Sequence, residues 1–246
     1  MLKLDLNLGL KLGNDIVDLS INKTKLKHLE PKFLKFLHRV FTPEEQAKIL
    51  NTIDLDKPKI LWALWAAKEA AYKALKKQLP ELIFSHNKFA VETTTLADLN
   101  NLTENNKITG ILLYNHKLIS MRWEYSINYI HCIAVILNNN KNFNNWEKIN
   151  HNITEDLESL EDLHDLNYLK PYFTERELAS VFSKQSLKTR YYAKKFLISC
   201  NFDPNIEIIR SNSPPMLFVG DQQLIDNDIS LSHDGRFMAV CCYGCD

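Results

Sequence analysis

Residues 61–73 read Leu-Trp-Ala-Leu-Trp-Ala-Ala-Lys-Glu-Ala-Ala-Tyr-Lys, a stretch that predicts a helix buried on most of its sides. Its charged residues are Lys68, Glu69 and Lys73. Glu69 and Lys73 are four residues apart, so their side chains share one helix face. One interpretation is an ordinary ion pair on a core helix, which contributes about 0.2–0.5 kcal/mol. In the other, Glu69 holds a divalent cation and Lys73 faces phosphate groups that the cation bridges, which requires a second carboxylate.

A candidate for the second carboxylate lies near the start of the chain. Leucines occupy the even-numbered positions from Leu2 to Leu12, and this period of two predicts a strand with one apolar face. Asp15 is at an odd-numbered position, so in a strand its carboxylate points to the face opposite the leucines and is available to a cation. The alternative is a solvated residue at the end of a strand. Asp18 falls in the leucine phase and is the weaker candidate.

A further group of polar residues lies within residues 229–240. Asp234 and Gly235 stand between two alternating segments, which is a strong signal for a hairpin. Ser232 and His233 are therefore expected at a strand end beside the turn, where they and Arg236 can surround an anion. The alternative is a plain turn with a histidine that faces solvent.

The same order of signals occurs twice along the chain, which predicts an internal duplication. Thr42 is followed three residues later by Glu45, and Thr174 by Glu177, and each pair has the pattern of a capping box that opens a helix. The later matching segments are Trp65–Lys73 with Tyr191–Phe196, Phe89–Thr93 with Ile206–Ile209, and Ala134–Val135 with Ala239–Val240. The first of these matches is helical and the others are β-type. The alternative is a chance recurrence of common signals.

The boundary between the repeated parts is predicted from an asparagine-rich segment. Eight of the fifteen residues from Asn138 to Asn152 are Asn, a composition that neither packs a core nor propagates a helix well. We therefore expect a first α+β half at residues 1–138, a linker at 139–152 and a second α+β half at 153–246. Aligning the Lys-bearing helices of the halves puts Lys195 opposite Glu69, so one complete cation site per chain is expected.

The composition excludes several classes of function. Of the 246 residues, 45% are hydrophobic and 24% charged, with 30 basic and 30 acidic residues, so no overall field favours nucleic acid or an anionic membrane. No apolar run is long enough to span a bilayer, and the first twelve residues lack the apolar core of a signal peptide. We expect a cytoplasmic protein without nucleic-acid or membrane partners.

The cysteine content and the missing motifs exclude further classes. Five cysteines, an odd number, do not form the paired framework of a small secreted scaffold. Cys242 and Cys245 make one C-x-x-C, but a zinc site needs additional ligands. The chain has no G-x-G-x-x-G after a strand and no G-x-S-x-G, which disfavours a dinucleotide oxidoreductase and a serine hydrolase.

Together the motifs resemble the 4'-phosphopantetheinyl transferase superfamily over essentially the whole chain. The family pattern is a G-x-D strand, an F-T-x-x-E segment, a W-x-x-K-E-A-x-x-K helix and an S-H strand. The corresponding segments here are Gly13–Asp15, Phe41–Glu45, Trp65–Lys73 and Ser232–His233. The two halves are similar to the pseudodimer of the surfactin-synthetase-activating type. Their order is reversed, as a fusion of two holo-acyl-carrier-protein-synthase units would give.

The resemblance implies an activity and a set of partners. It implies Mg²⁺-dependent transfer of phosphopantetheine from coenzyme A to a serine of an acyl or peptidyl carrier protein, with release of adenosine 3',5'-bisphosphate. It implies that Asp15 and Glu69 bind Mg²⁺, that Glu69 or a metal-bound water accepts the serine proton, and that Lys73 steadies the leaving phosphate. A monomer is sufficient, because both halves belong to one chain.

The resemblance also assigns the nucleotide phosphates to Ser232, His233 and Arg39. Two departures from the family pattern bear on the metal site and on the phosphate contacts. Val17 stands where the larger type has a second acid after the first metal aspartate, so a water is expected to complete the coordination. Residues 213–215 read Ser-Pro-Pro in place of a Gly-Lys-Pro phosphate contact. Arg39, Lys73 and Arg210 are the candidate substitutes. The alternative function is a non-catalytic module of the same fold that binds coenzyme A or a carrier protein.

Overall fold

The computed structural model describes residues 9–22, 32–104, 106–156, 166–181, 183–210 and 214–244. The leucine alternation before Gly9, as well as Ser213 and Cys245, lies outside the described residues. Helices and strands are mixed in both halves, in agreement with the expected α+β class. The pairing of the halves as a pseudodimer stays a prediction.

The elements of the described chain are numbered in sequence order. The strands are β1 (Lys11–Asp18), β2 (Phe89–Val91), β3 (Ile108–Tyr114), β4 (Lys117–Tyr125), β5 (Tyr129–Ile136), β6 (Ile149–Glu155), β7 (Ile206–Ile209), β8 (Met216–Val219), β9 (Gln222–Gln223), β10 (Asp228–Asp234) and β11 (Phe237–Tyr243). The helices are α1 (Phe33–Val40), α2 (Pro43–Asn51), α3 (Lys57–Gln78), α4 (Thr93–Asp98), α5 (Glu175–Leu178) and α6 (Lys184–Ser199). Thr93, expected at the end of a β-type run, instead begins α4, because Glu92 keeps extended angles and serves as its N-cap.

Helix α3 packs on an antiparallel sheet with the strand order β1-β5-β4-β3-β2. The helix lies very close to the sheet at Gly13 of β1, where a Cβ atom would lie 1.9 Å from the carbonyl oxygen of Ala70 and 2.7 Å from the backbone nitrogen of Ala74. Both of these are helix backbone atoms, so no side chain can move aside. Glycine at this position therefore lets the helix that carries Glu69 and Lys73 lie directly on β1.

The second half contains two smaller antiparallel sheets, with the orders β10-β11-β6 and β7-β8-β9. Ala193 and Leu197 of α6 pack against both sheets. The hairpin predicted from Asp234 and Gly235 is confirmed: Asp234 pairs with Phe237 at its closed end, and Gly235 has a φ of 54°. Ser232 and His233 therefore lie at the end of β10, as expected.

The two halves meet where β1 lies along β10. Side chains of β10 accept hydrogen bonds from backbone N–H groups of β1, and each pair is separated by 216 residues: Leu12 to Asp228 (2.6 Å), Asn14 to Ser230 (2.9 Å) and Asp18 to Asp234 (2.9 Å). Buried N–H groups at a strand edge need such partners. The constant register brings the end of β1 that carries Asp15 beside the end of β10 that carries His233.

The asparagine-rich segment packs more closely than a linker was expected to. Phe143 is buried in an apolar cluster between the sheets, with Trp146 in an edge contact at 5.2 Å between ring centroids. Residues 149–152, assigned to the linker, are the first four residues of β6 and pair with β11. The aromatic and β-branched residues among the asparagines supply this packing. None of the described helices has the length and apolarity needed to cross a membrane.

Candidate active site

A cavity of about 630 Å³ lies at the junction of the two halves and is termed the junction cavity. Residues of its wall include Asp15, Arg39, Trp65, Glu69, His233 and Asp234. Asp15 comes from β1, Glu69 from α3 and His233 from β10, so three separate segments converge here. Arg39, in the last turn of α1, is exposed and reaches the same cavity.

Asp15 is a largely buried carboxylate with a cation beside it. Its side chain is 13% exposed, and its Oδ1 accepts a hydrogen bond from Nζ of Lys73 at 2.8 Å. Lys73 also donates to the carbonyl oxygen of Asn14 at 2.9 Å. Burial raises the pKa of Asp15 to about 6; Lys73 opposes this rise, and the negative charges of Glu69 and Asp234 add to it. The acids of this cavity therefore favour a nearby positive charge, which Lys73 supplies.

Glu69 lies one helical turn before Lys73 and faces the junction cavity with a quarter of its side chain exposed. Its Oε1 lies 3.4 Å from Nε2 of His86, close enough for an ion pair but without hydrogen-bond geometry. The His86 ring packs on Trp65 and Phe84, with centroid distances of 4.8 and 4.0 Å. Sequence reasoning missed His86, because it stands in a short turn outside every motif.

A second cavity, of about 220 Å³, adjoins the junction cavity at His233. This basic pocket is lined by Lys73, Thr189, Arg190, Arg210, Ser232 and His233. The hydroxyl of Ser232 is buried and has no hydrogen-bond partner within the described residues. Because an unsatisfied buried hydroxyl costs about 1–3 kcal/mol, a ligand oxygen that accepts from Ser232 gains affinity there.

The basic side chains of this pocket differ in how they are held. Arg190 is 2% exposed, and its guanidinium donates to the carbonyl oxygens of Glu177 and Ser180 at 3.2 and 2.8 Å. Arg210 follows β7 and is exposed. Partial burial lowers the pKa of His233, and the charge of Lys73 lowers it further. The sequence did not predict Arg190 as a pocket residue, because no motif distinguishes it from the other basic residues of α6.

Asp18 and Arg236 join the halves. The Asp18 carboxylate accepts hydrogen bonds from the backbone N–H and hydroxyl of Ser20 and from the backbone N–H and Nε of Arg236. Burial acts to raise the pKa of Asp18, but these hydrogen bonds together hold it below its usual value. Arg236 also forms an ion pair with Glu155 at 2.9 Å. Arg236 is therefore paired with two carboxylates, and the expectation that it surrounds an anion with Ser232 stays a prediction.

The acidic pair of the junction cavity suits Mg²⁺ chemically. Mg²⁺ takes oxygen ligands, commonly one or two carboxylates, and keeps several waters. Asp15 and Glu69 offer two carboxylates, whereas Oδ2 of Asp234 already accepts from the backbone N–H of Asp18 and from Nδ2 of Asn22. Across the described part of the chain, no group of three or more His, Cys, Asp or Glu side chains is arranged to hold a metal. An ion held by these two carboxylates would take its remaining ligands from water and substrate oxygens.

The comparison with known families identifies the first half of the chain. Residues 11–127 match the family model of the 4'-phosphopantetheinyl transferase superfamily, so the resemblance is confirmed over this range. The match includes Asp15, Glu69 and Lys73, whereas Ser232 and His233 lie beyond it. A search of curated protein sequences found no match.

Proposed function

We propose, from the superfamily domain at residues 11–127, that this protein transfers phosphopantetheine from coenzyme A to a serine hydroxyl of an acyl or peptidyl carrier protein, releasing adenosine 3',5'-bisphosphate. The observation that carries the proposal is the convergence of Asp15, Glu69 and His233 on the junction cavity. The two acids belong to the superfamily domain, and the imidazole comes from the second half. Because one chain contributes all three residues, a monomer is sufficient for activity. We place this activity in the cytoplasm.

The nucleotide phosphates of coenzyme A are assigned to the basic pocket. Phosphate recognition needs fixed positive charge and hydrogen-bond donors. Arg190 is held in place by carbonyl oxygens, Arg210 lines the pocket beside it, and Ser232 and His233 complete the donors. In this assignment Arg190 and Arg210 replace the family's Gly-Lys-Pro contact. Arg39 faces the junction cavity, which adjoins the basic pocket at His233, and supplies further positive charge.

The reacting phosphorus is assigned to the junction cavity. Asp15 and Glu69 would hold Mg²⁺, which would supply positive charge to offset the negative charge of the pyrophosphate. Lys73 borders the basic pocket while its ammonium contacts Asp15, so it is placed to stabilise the departing phosphate. Glu69, or a water that it holds, accepts the proton of the carrier serine. The serine oxygen forms a bond to phosphorus as the bond to adenosine 3',5'-bisphosphate breaks.

The proposal is tested with purified protein, coenzyme A, Mg²⁺ and apo carrier proteins of the fatty-acid, polyketide and nonribosomal-peptide classes. We expect one carrier class to gain the mass of a single phosphopantetheine group. Glu69→Gln should abolish this gain in a folded protein, whereas Lys195→Gln, its counterpart in the second half, should transfer at the wild-type rate. Binding of coenzyme A without a mass gain in any carrier would favour the non-catalytic module.

A further inference from the structure

Lys68, the residue before Glu69, is a buried cation. Its side chain has no exposure, and its Nζ lies 2.7 Å from Oε2 of Glu45, which is also fully buried. The same ammonium donates to the carbonyl oxygen of His86 at 3.1 Å and to that of Phe89. Burial lowers the pKa of Lys68, and the charge of Glu45 opposes this. Burying such a pair costs free energy unless every polar atom has a hydrogen-bond partner. These partners therefore fix the position of the Lys68 ammonium.

Glu45 connects Lys68 to two further segments. Its Oε2 accepts from the backbone N–H of Thr42 at 2.8 Å, which completes the capping box of α2. Its Oε1 accepts from the backbone N–H of Val91 in β2 at 3.0 Å. The carboxylate therefore holds α2, β2 and α3 together at one point.

This point lies next to the candidate general base. Successive residues of an α-helix are about 100° apart around its axis, so a Lys68 side chain held inward determines where Glu69 points. The carbonyl that accepts from Lys68 belongs to His86, whose ring lies beside Glu69. We propose that the buried Glu45–Lys68 pair is a positioning device that holds Glu69 toward the junction cavity and His86 beside Glu69. This inference rests on the proposed function.

The second half contains a similar pair without an acid to position, although Lys194 is 11% exposed and donates to the carbonyl oxygen of Tyr172. Glu177 accepts from the backbone N–H of Thr174 at 3.0 Å, from that of Ile208 at 2.9 Å and from Nζ of Lys194 at 2.8 Å. The residue after Lys194 is Lys195, which occupies the place of Glu69. The second pair therefore measures what such a pair contributes apart from positioning Glu69. Because the carbonyl oxygen of Glu177 also accepts from Arg190 of the basic pocket, the comparison uses kcat and the Mg²⁺ requirement rather than the affinity for coenzyme A.

Lys68→Met and Lys194→Met are the matched variants, assayed well below both melting temperatures. We expect both to lower the melting temperature. Lys68→Met should also lower kcat and raise the Mg²⁺ concentration that gives half-maximal rate, each by about 10- to 100-fold, as for groups that orient metal ligands. The KM for coenzyme A should change less than threefold, because its nucleotide phosphates are assigned to the basic pocket, which neither Lys68 nor Glu69 lines. Lys194→Met should keep kcat and the Mg²⁺ requirement within about twofold of wild type. If Lys68→Met does not fold, Glu45→Gln and Glu177→Gln give the same comparison.

Mn²⁺ binding, measured by calorimetry without a carrier protein, separates this inference from the proposed function. If the wild-type protein binds Mn²⁺ but transfers nothing, the proposed function alone is overturned. In that case, a loss of Mn²⁺ binding in Lys68→Met but not in Lys194→Met still supports the positioning role. Folded Lys68→Met that matches Lys194→Met in metal affinity and in rate overturns the positioning role, even if transfer occurs. Wild-type protein that binds no Mn²⁺ overturns both.

Discussion

The ammonium nitrogen of Lys73 lies 2.8 Å from Oδ1 of Asp15, so the carboxylate assigned to Mg²⁺ already has a cation beside it. Lys73→Met should therefore have opposite effects on binding and rate. Removing the competing charge should tighten Mg²⁺ binding by up to about tenfold, equivalent to about 1.4 kcal/mol. Transfer should slow by about 100-fold, because the departing phosphate loses its positive partner. Calorimetric Mg²⁺ titration and single-turnover rates measure the two effects.

Lys76→Met is the matched control for this experiment. Lys76 lies on the same helix and donates to the carbonyl oxygen of Leu82 at 2.9 Å. The Lys76→Met substitution should leave the Mg²⁺ affinity and the transfer rate near those of the wild-type protein. Weaker Mg²⁺ binding in Lys73→Met would show that Lys73 does not compete for Asp15.

Ser232→Ala should separate stability from coenzyme A binding. The Ser232 hydroxyl is buried without a partner among the described residues, so its removal should leave the free energy of unfolding unchanged or raise it by about 1 kcal/mol. The affinity for coenzyme A should fall about tenfold, because the donor to its phosphates is lost. Ser230→Ala should instead destabilise the protein, since Ser230 accepts the backbone N–H of Asn14. Urea unfolding and calorimetry distinguish these cases, and an unchanged affinity in Ser232→Ala would remove Ser232 from the site.

Gly13→Ala should cost both stability and activity. The new methyl group would contact the backbone of Ala70 and Ala74, so α3 must move away from β1. Overpacking of this kind costs about 1–3 kcal/mol. The same displacement takes Glu69 away from Asp15, so kcat should fall more than the folded fraction does. A variant with the wild-type melting temperature would show that the helix does not pack this closely on the strand.

His131 should make the protein sensitive to acid. Its ring is 1% exposed, and burial lowers its pKa to about 3, with the neighbouring charge of His151 adding to the effect. The unfolded chain binds a proton below pH 6.5 that the native state excludes, so stability is present above pH 6.5 and is lost as pH falls toward 3. At pH 5 the loss is about 2 kcal/mol. His131→Gln should lose less stability than wild type between pH 8 and pH 5 in urea unfolding, whereas parallel losses would assign the acid sensitivity to other groups.

Features that depend on neighbouring residues were predictable from the sequence. The capping boxes of Thr42 with Glu45 and of Thr174 with Glu177 are both formed, because a cap needs only residues three positions apart. The turn at Gly235 also follows from local backbone preference. The division at residues 139–152 stays a prediction, and composition did not reveal that Phe143 packs into an apolar cluster.

Features that depend on distances between remote segments were not predictable. No sequence signal placed His86 beside Glu69 or Arg190 in the basic pocket. The ion pair of Lys73 with Asp15 was also unforeseen, because Lys73 was expected to face phosphate rather than a carboxylate. Each of these contacts depends on how α3, α6 and the strands pack, which spacing along the chain does not encode.

The sequence by itself determined the local elements and the chemical groups of the candidate site: two carboxylates, a lysine and an imidazole on a helix and two strands. Only the tertiary structure decided that the carboxylates and the imidazole line one cavity, that Lys73 contacts Asp15, and which other groups surround them. The physical reason is that capping, turns and periodicity arise from hydrogen bonds and side-chain phases within a few residues. The cavity instead arises from the close approach of α3 at Gly13 and from the register of β1 along β10.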